Sequence, residues 1–236
     1  MIFFQKRSSL YKKIVSLLAN NHSLNQEEIS KGINRHRGRS ISEYLNDLVT
    51  AGFLTDDFSW SLKTHKMSRL RKYRLSDNYL RFYLKFIEPR KKEIIEGKYE
   101  EGSLFAQTQW ASIMGLQFEN LVIHNRKEIL NILEISPSDC LHDGPFFQTT
   151  TKKRKGCQID YLIQTKSAIF LCEIKFSIHN IGKEVIEEME QKIKKLEIPK
   201  HITYRPILIH VGGVSNEVIS SEYFDKIIDW CEVFSC

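Results

Sequence analysis

Cys157-Gln158-Ile159-Asp160-Tyr161-Leu162-Ile163-Gln164 and, beyond a short break, Ala168-Ile169-Phe170-Leu171-Cys172-Glu173-Ile174-Lys175-Phe176 are the stretches on which the fold of this chain turns. Both are apolar runs of strand length, rich in β-branched and aromatic residues. Lys166-Ser167 between them suits the two-residue loop of a hairpin. That turn sets Asp160 opposite Glu173, and because side chains alternate along a strand, Lys175 shares the face of Glu173. The other face, with Ile159, Tyr161 and Ile163 against Phe170, Cys172, Ile174 and Phe176, is expected to be core.

Two carboxylates facing each other across a ladder repel, at a cost of about 0.2–1 kcal/mol when solvated and more when buried. A divalent cation relieves that repulsion. Hard oxygen ligands from Asp160 and Glu173, with the main-chain carbonyl of Ile174, suit Mg²⁺ or Mn²⁺. Water held beside the Lys175 ammonium is biased toward hydroxide, and the cation stabilises charge building on a phosphorane-like transition state. The chemistry this implies is phosphodiester hydrolysis. Glu-x-Lys also arises by chance on strands, so a purely structural role for the pair stays open.

Outward from the hairpin, the order alternates. A helix is expected over roughly 110–128, a weak strand over 129–135, and a helix over 183–196. A buried strand, Ile207 to Val211, ends at Gly212-Gly213, and a last helix runs from Ser221 through Tyr223, Ile227, Ile228 and Trp230. This predicts a mixed α/β layer around a central sheet.

Toward the N-terminus the periodicity is helical. Leu10, Ile14, Leu17 and Leu18 share one face of a first helix. Asn25 with Glu28 forms a capping box for a second helix, Gln26 to Gly32. A basic turn, Arg35-His36-Arg37-Gly38-Arg39, leads into a third, with Ile41, Tyr44, Leu45 and Leu48 inward and Gly52 at its end. Strands over 53–60 and 70–75 follow, then a helix capped at Ser76-Asp77 that runs through Tyr79, Phe82 and Phe86 toward Pro89. Three helices and a hairpin are the layout of a winged helix-turn-helix. In that reading Arg35, Arg37 and Arg39 contact DNA phosphates. Lys63, His65, Lys66, Arg69, Arg71 and Lys72 form a second basic cluster around the hairpin. The alternative is a solvated surface used in protein contacts. Asp56-Asp57 beside the hairpin tempers the DNA reading.

Gln158-Ile159-Asp160 followed by Glu173-Ile174-Lys175 resembles the core of the PD-(D/E)xK, or restriction-endonuclease-like, superfamily, with Ile159 where the motif has proline. Gly115-Leu116-Gln117-Phe118-Glu119 looks like the helix whose glutamate supports the metal in such domains, so the resemblance makes Glu119 a candidate beside its plain reading as a surface helix residue. Gln191 is weighed in the same way as an auxiliary polar residue. Tyr73-Arg74-Leu75-Ser76-Asp77-Asn78-Tyr79-Leu80-Arg81-Phe82, with the helices before it, resembles the region that follows the ATPase in archaeal-type P-loop ATPases, where a winged helix precedes a PD-(D/E)xK-like domain. The chain departs from that family in having no G-x-x-x-x-G-K-[ST], so no ATP binding is expected and any ATPase would be a separate partner.

The expected division is 1–100 for the winged helix-turn-helix with its trailing helix and 101–236 for the nuclease-like mixed-sheet domain, the charged stretch 88–106 being the boundary. A net charge of +6, from 35 basic and 29 acidic residues, leans mildly toward an anionic partner such as DNA. Five scattered cysteines offer neither a disulfide framework nor a zinc pattern, as expected of a reducing cytoplasm. No apolar stretch is long enough for a signal peptide or a membrane span. The histidines, His179 near the hairpin included, show no metal-ligand spacing. The leading expectation is a Mg²⁺- or Mn²⁺-dependent DNA nuclease carried by Asp160, Glu173, Lys175 and Glu119. The alternative is a DNA- or protein-binding regulator that keeps the nuclease fold without turnover.

Overall fold

The computed structural model describes residues 8–35, 39–99, 109–152 and 155–233. His36, Arg37 and the expected boundary at residue 100 lie outside the described residues, as does the side chain of Arg39. The chain forms two compact units, one made of 1–58 and 70–113, the other of 59–69 and 114–236.

The first unit opens with α1 (Ser8–Ala19), α2 (Gln26–Gly32) and α3 (Arg39–Thr50). Leu10, Ile14, Leu18, Ile29, Ile41, Leu45 and Leu48 are all buried in one cluster, as the helical spacing predicts. The capping box forms: the Asn25 side chain accepts from the N–H groups of Glu27 and Glu28, and Glu28 accepts from the Asn25 N–H. β1 (Leu24–Asn25), β2 (Leu54–Trp60) and β3 (Met67–Leu75) make a three-stranded sheet in the order β1-β3-β2. α4 (Asn78–Phe82), capped by Asp77, passes through a π turn (Tyr83–Ile87) and a 3₁₀ turn (Glu88–Arg90) into α5 (Lys91–Ile95). The helical path therefore continues past Pro89, which sits at the start of a turn where its missing N–H costs nothing. Arg81, 1% exposed, donates to the carbonyls of Leu18, Ala19 and Leu75 and so ties the end of α1 to the end of β3.

In the second unit, α6 (Trp110–His124), whose first residues up to Ile113 count with the first unit, and α7 (Arg126–Ile132) precede β4 (Cys140–Gln148), β5 (Cys157–Thr165) and β6 (Ala168–Phe176). Then come α8 (Glu184–Ile193), β7 (Thr203–Val211), α9 (Asn216–Ser220), β8 (Lys226–Asp229) and α10 (Trp230–Val233). The sheet order is β4-β5-β6-β7-β8, antiparallel over the first three strands and parallel over the last three. Both faces are covered. One packs Leu162, Leu171 and Leu208 against Val185 and Met189 of α8 and against Trp60 and Leu62 of the 59–69 hairpin tip. The other packs Tyr161, Ile163, Phe170, Cys172 and Ile174 against Phe118, Val122, Ile129 and Trp230.

Three expectations change. Residues 129–135 are not a strand; α7 takes 129–132, where Ile129, Leu130 and Ile132 follow helical spacing, and 133–135 turn away after it. Ser221 does not start a long helix; β8 intervenes, with Ile227 and Ile228 serving the two opposite cores. β4 was not expected, since Gly144-Pro145 at its middle reads as a turn. It occupies the sheet edge, where a proline is tolerated. Among the described residues no helix is long and apolar enough to cross a membrane.

Candidate metal centre

The hairpin has the expected register, running from Gln164↔Ile169 to Tyr161↔Cys172. It stops there. On the other side of β5, Gly144 pairs with Leu162 and Phe146 with Ile159, so Asp160 and Tyr161 together face only Pro145. This is a β-bulge, and it changes which way the strand presents its side chains. Ile159 consequently joins the core on the α8 face with Leu162, not the face of Tyr161 as simple alternation requires. In place of the next ladder bond, the Ile174 N–H donates to Asp160 Oδ2 at 3.0 Å. β6 meanwhile continues alongside β7 through Phe176↔Val211. The acidic pair thus stands where β5 and β6 part.

Glu173 is 2% exposed and is surrounded by charge. Lys192 Nζ lies 2.5 Å from its Oε2 and 3.7 Å from Asp160 Oδ1. Lys175 Nζ lies 3.2 Å from its Oε1 and 2.6 Å from Glu188 Oε2. Burial, and secondly the Asp160 charge, push the Glu173 carboxyl above its ordinary range, while the two ammonium groups pull it back. Burial works against the charge of Lys175, but Glu173 and Glu188 outweigh it and raise the pKa. Lys192 is likewise raised, with Asp160 and Glu173 overcoming its desolvation. Glu119, half-buried on α6, brings a carboxylate oxygen within 4.8 Å of one from Asp160.

The expected residues Asp160, Glu173 and Lys175 therefore come together, and Glu119 approaches Asp160. Ile174 contributes its N–H to Asp160, and its side chain is buried on the opposite face. Gln191 is exposed on α8, as is His179 in the loop after β6. The sequence reading missed Lys192 and Glu188. The signal for them was a Glu-x-x-x-Lys pair on the helix after Glu-x-Lys, one turn apart and so on one helix face. Asp160 on β5 lies near Glu173 on β6 and near Glu119 on α6, and these carboxylates are the hard oxygen donors that Mg²⁺ or Mn²⁺ takes, but Glu173 is not among the ligand atoms that gather with Glu119 and Asp160 within 4.8 Å of one another. Behind the site, Gly212 is fixed by a close approach. At φ +103° a Cβ would stand 1.8 Å from the Ser177 carbonyl oxygen, so only glycine lets the end of β7 lie against the end of β6.

The basic residues of the N-terminal reading are placed less uniformly. Arg35 is exposed just after α2, and Lys63, Lys66 and Arg69 are exposed around the hairpin tip. Arg71 is engaged: it pairs with Asp56 at 2.7 Å, and its guanidinium stacks 4.8 Å from the Tyr73 ring centre and 5.3 Å from that of Phe58. The tip itself is anchored in the second unit. Trp60 Nε1 donates to Gln164 Oε1 at 2.8 Å, Gln164 Nε2 donates to the Leu62 carbonyl, and His142 Nε2 lies 2.7 Å from the His65 carbonyl.

No protein-family profile and no curated protein sequence matches the chain. A solved structure, protein VC1899 from Vibrio cholerae, is similar at a TM-score of 0.40 and 11% identity, over 98% of this chain and 50% of that one. The chain thus spans about half the length of that protein.

Proposed function

We propose that the chain is a divalent-metal-dependent nuclease hydrolysing phosphodiester bonds of DNA, its second unit a restriction-endonuclease-like domain of the PD-(D/E)xK type. The observation that carries this reading is the meeting of Asp160 and Glu173 at the parting of β5 and β6, with Lys175 3.2 Å from Glu173. Asp160, Glu173 and Glu119 would hold the cation. When bound, that cation supplies Lewis-acid stabilisation of the charge that develops on the phosphate. Lys175, held between Glu173 and Glu188, keeps its proton. It acts as a hydrogen-bond donor that orients the attacking water and steadies the phosphate oxygens, rather than as a base. Glu188 positions that ammonium. The first unit, read as a winged helix-turn-helix, would bring duplex DNA to this centre through phosphate contacts from Arg35, Arg37 and Arg39. Lys63, Lys66 and Arg69 support the same reading through their exposure.

The test is calorimetric titration with Mg²⁺ and Mn²⁺, wild type against Asp160→Asn and Glu173→Gln, followed by incubation with plasmid and junction DNA. Binding and cleavage by the wild type alone support the proposal. Cleavage by Asp160→Asn at the wild-type rate would sink it. One observation favours the second reading, a DNA- or protein-binding module without turnover: Lys192 already bridges the acidic pair. DNA binding retained with no metal uptake and no cleavage would favour that alternative.

A further inference from the structure

Lys192 Nζ stands between Glu173 Oε2 and Asp160 Oδ1, at 2.5 and 3.7 Å, the oxygens that the nuclease reading gives to a divalent cation. We infer that Lys192 is the resident counter-cation of the metal-free centre, displaced when a divalent ion enters, so that it sets the metal affinity and keeps the centre closed at low metal. The inference rests on the metal-dependent reading of the same carboxylates.

The physical argument is exclusion. Mg²⁺ binds carboxylate oxygens at about 2.0–2.1 Å and keeps near-ideal octahedral geometry. An ammonium already in contact with Glu173 fills that space, and its charge repels a second cation at such range. The buried Glu173 carboxylate cannot stand unpaired, so in the metal-free state some cation has to be there. Lys192 is suited to leave. Its side chain is 25% exposed and reaches the site on a flexible stem. Glu188 lies one helical turn earlier on the same helix, its side chain 49% exposed, in the Glu-to-Lys i,i+4 orientation that favours pairing. The ammonium can pass from Asp160 and Glu173 to Glu188 without a change in the backbone. Lys175 differs in this respect, because Glu188 and Glu173 hold it from two sides.

The experiment is Mn²⁺ titration by calorimetry on the full chain as wild type, Lys192→Met, Lys192→Gln and Lys194→Met. Lys194, 63% exposed and paired with Glu190 on the same helix, makes the same change in net charge away from the site. The expected result is at least tenfold tighter Mn²⁺ binding in both Lys192 variants and a change under twofold for Lys194→Met. Metal-free melting should fall in the Lys192 variants and the Mn²⁺-induced rise in melting should grow. Unchanged or weaker Mn²⁺ binding in the Lys192 variants overturns the inference, and if Asp160→Asn still abolishes binding, the metal-dependent reading survives alone. Absence of Mn²⁺ binding in every form overturns both. A second measurement needs only the wild type: mass-spectrometric mapping of lysine acetylation with and without Mn²⁺. Lys192 is expected to gain reactivity at least severalfold on metal addition, and unchanged or falling reactivity overturns displacement.

Discussion

Asp160 carries two separable loads, and substitution can distinguish them. Its Oδ2 accepts the Ile174 N–H at 3.0 Å, while its Oδ1 faces the Lys192 ammonium. Asp160→Ala removes both the charge and the acceptor; Asp160→Asn removes the charge but keeps an oxygen able to accept the Ile174 N–H. In both variants the repulsion with Glu173 and the attraction to Lys192 disappear together, so those terms cancel in the difference between them. What remains is a main-chain donor of a residue only 5% exposed, left without its acceptor in the alanine variant. Stranding such a group costs about 1–3 kcal/mol. For a chain of this size that corresponds to a melting temperature roughly 2–12 °C lower for Asp160→Ala than for Asp160→Asn. Differential scanning calorimetry in chelator-containing buffer measures the difference free of any metal contribution. Equal stability of the two variants would refute the idea that Asp160 replaces the ladder bond where β5 leaves β6.

Arg81→Met should cost more than about 3 kcal/mol, because three buried carbonyls lose a charged donor at once; urea denaturation showing a loss below about 1 kcal/mol would contradict this. His210, 5% exposed, has its pKa lowered by burial, against the opposing pull of Asp229 and Glu232. The unfolded chain therefore binds the extra proton first, and His210 contributes stability that is present above about pH 6.5 and is lost as pH falls below it. His210→Gln should flatten the fall in melting temperature between about pH 7.5 and pH 5, and an unaltered slope would exclude the residue as its source. Trp60→Phe breaks the buried Trp60–Gln164 bond and should cost about 1–3 kcal/mol. Adding Gln164→Leu to that variant should cost less than the sum of the single changes, which a double-mutant cycle by chemical denaturation reads directly.

The hairpin, its register and the meeting of Asp160 with Glu173 could be read from sequence because period-2 patterning and a two-residue turn are local signals. The Asn25–Glu28 capping box was legible for the same reason. What escaped was non-local. The bulge at Asp160 depends on Pro145 in a neighbouring strand, and β4 itself was concealed by Gly144-Pro145, which is strand-compatible only at a sheet edge. Ile227-Ile228 fits a helix or a strand equally well until two cores claim the two side chains. Lys192 looked like any solvated helix lysine. The Glu188–Lys192 spacing on α8 was the one local trace, and an i,i+4 pair by itself marks any solvated helix face.

Residues 59–69 belong to the second unit although the strands on either side of them begin and end in the first. The chain passes from one unit to the other three times, so no single cut separates them. A fragment beginning near residue 100 or 114 would lack Trp60 and Leu62 and leave Gln164, itself fully buried, without its two partners. For anyone expressing the second unit alone, or grafting it onto another protein, the tip has to travel with it as a supplied peptide or a fused segment.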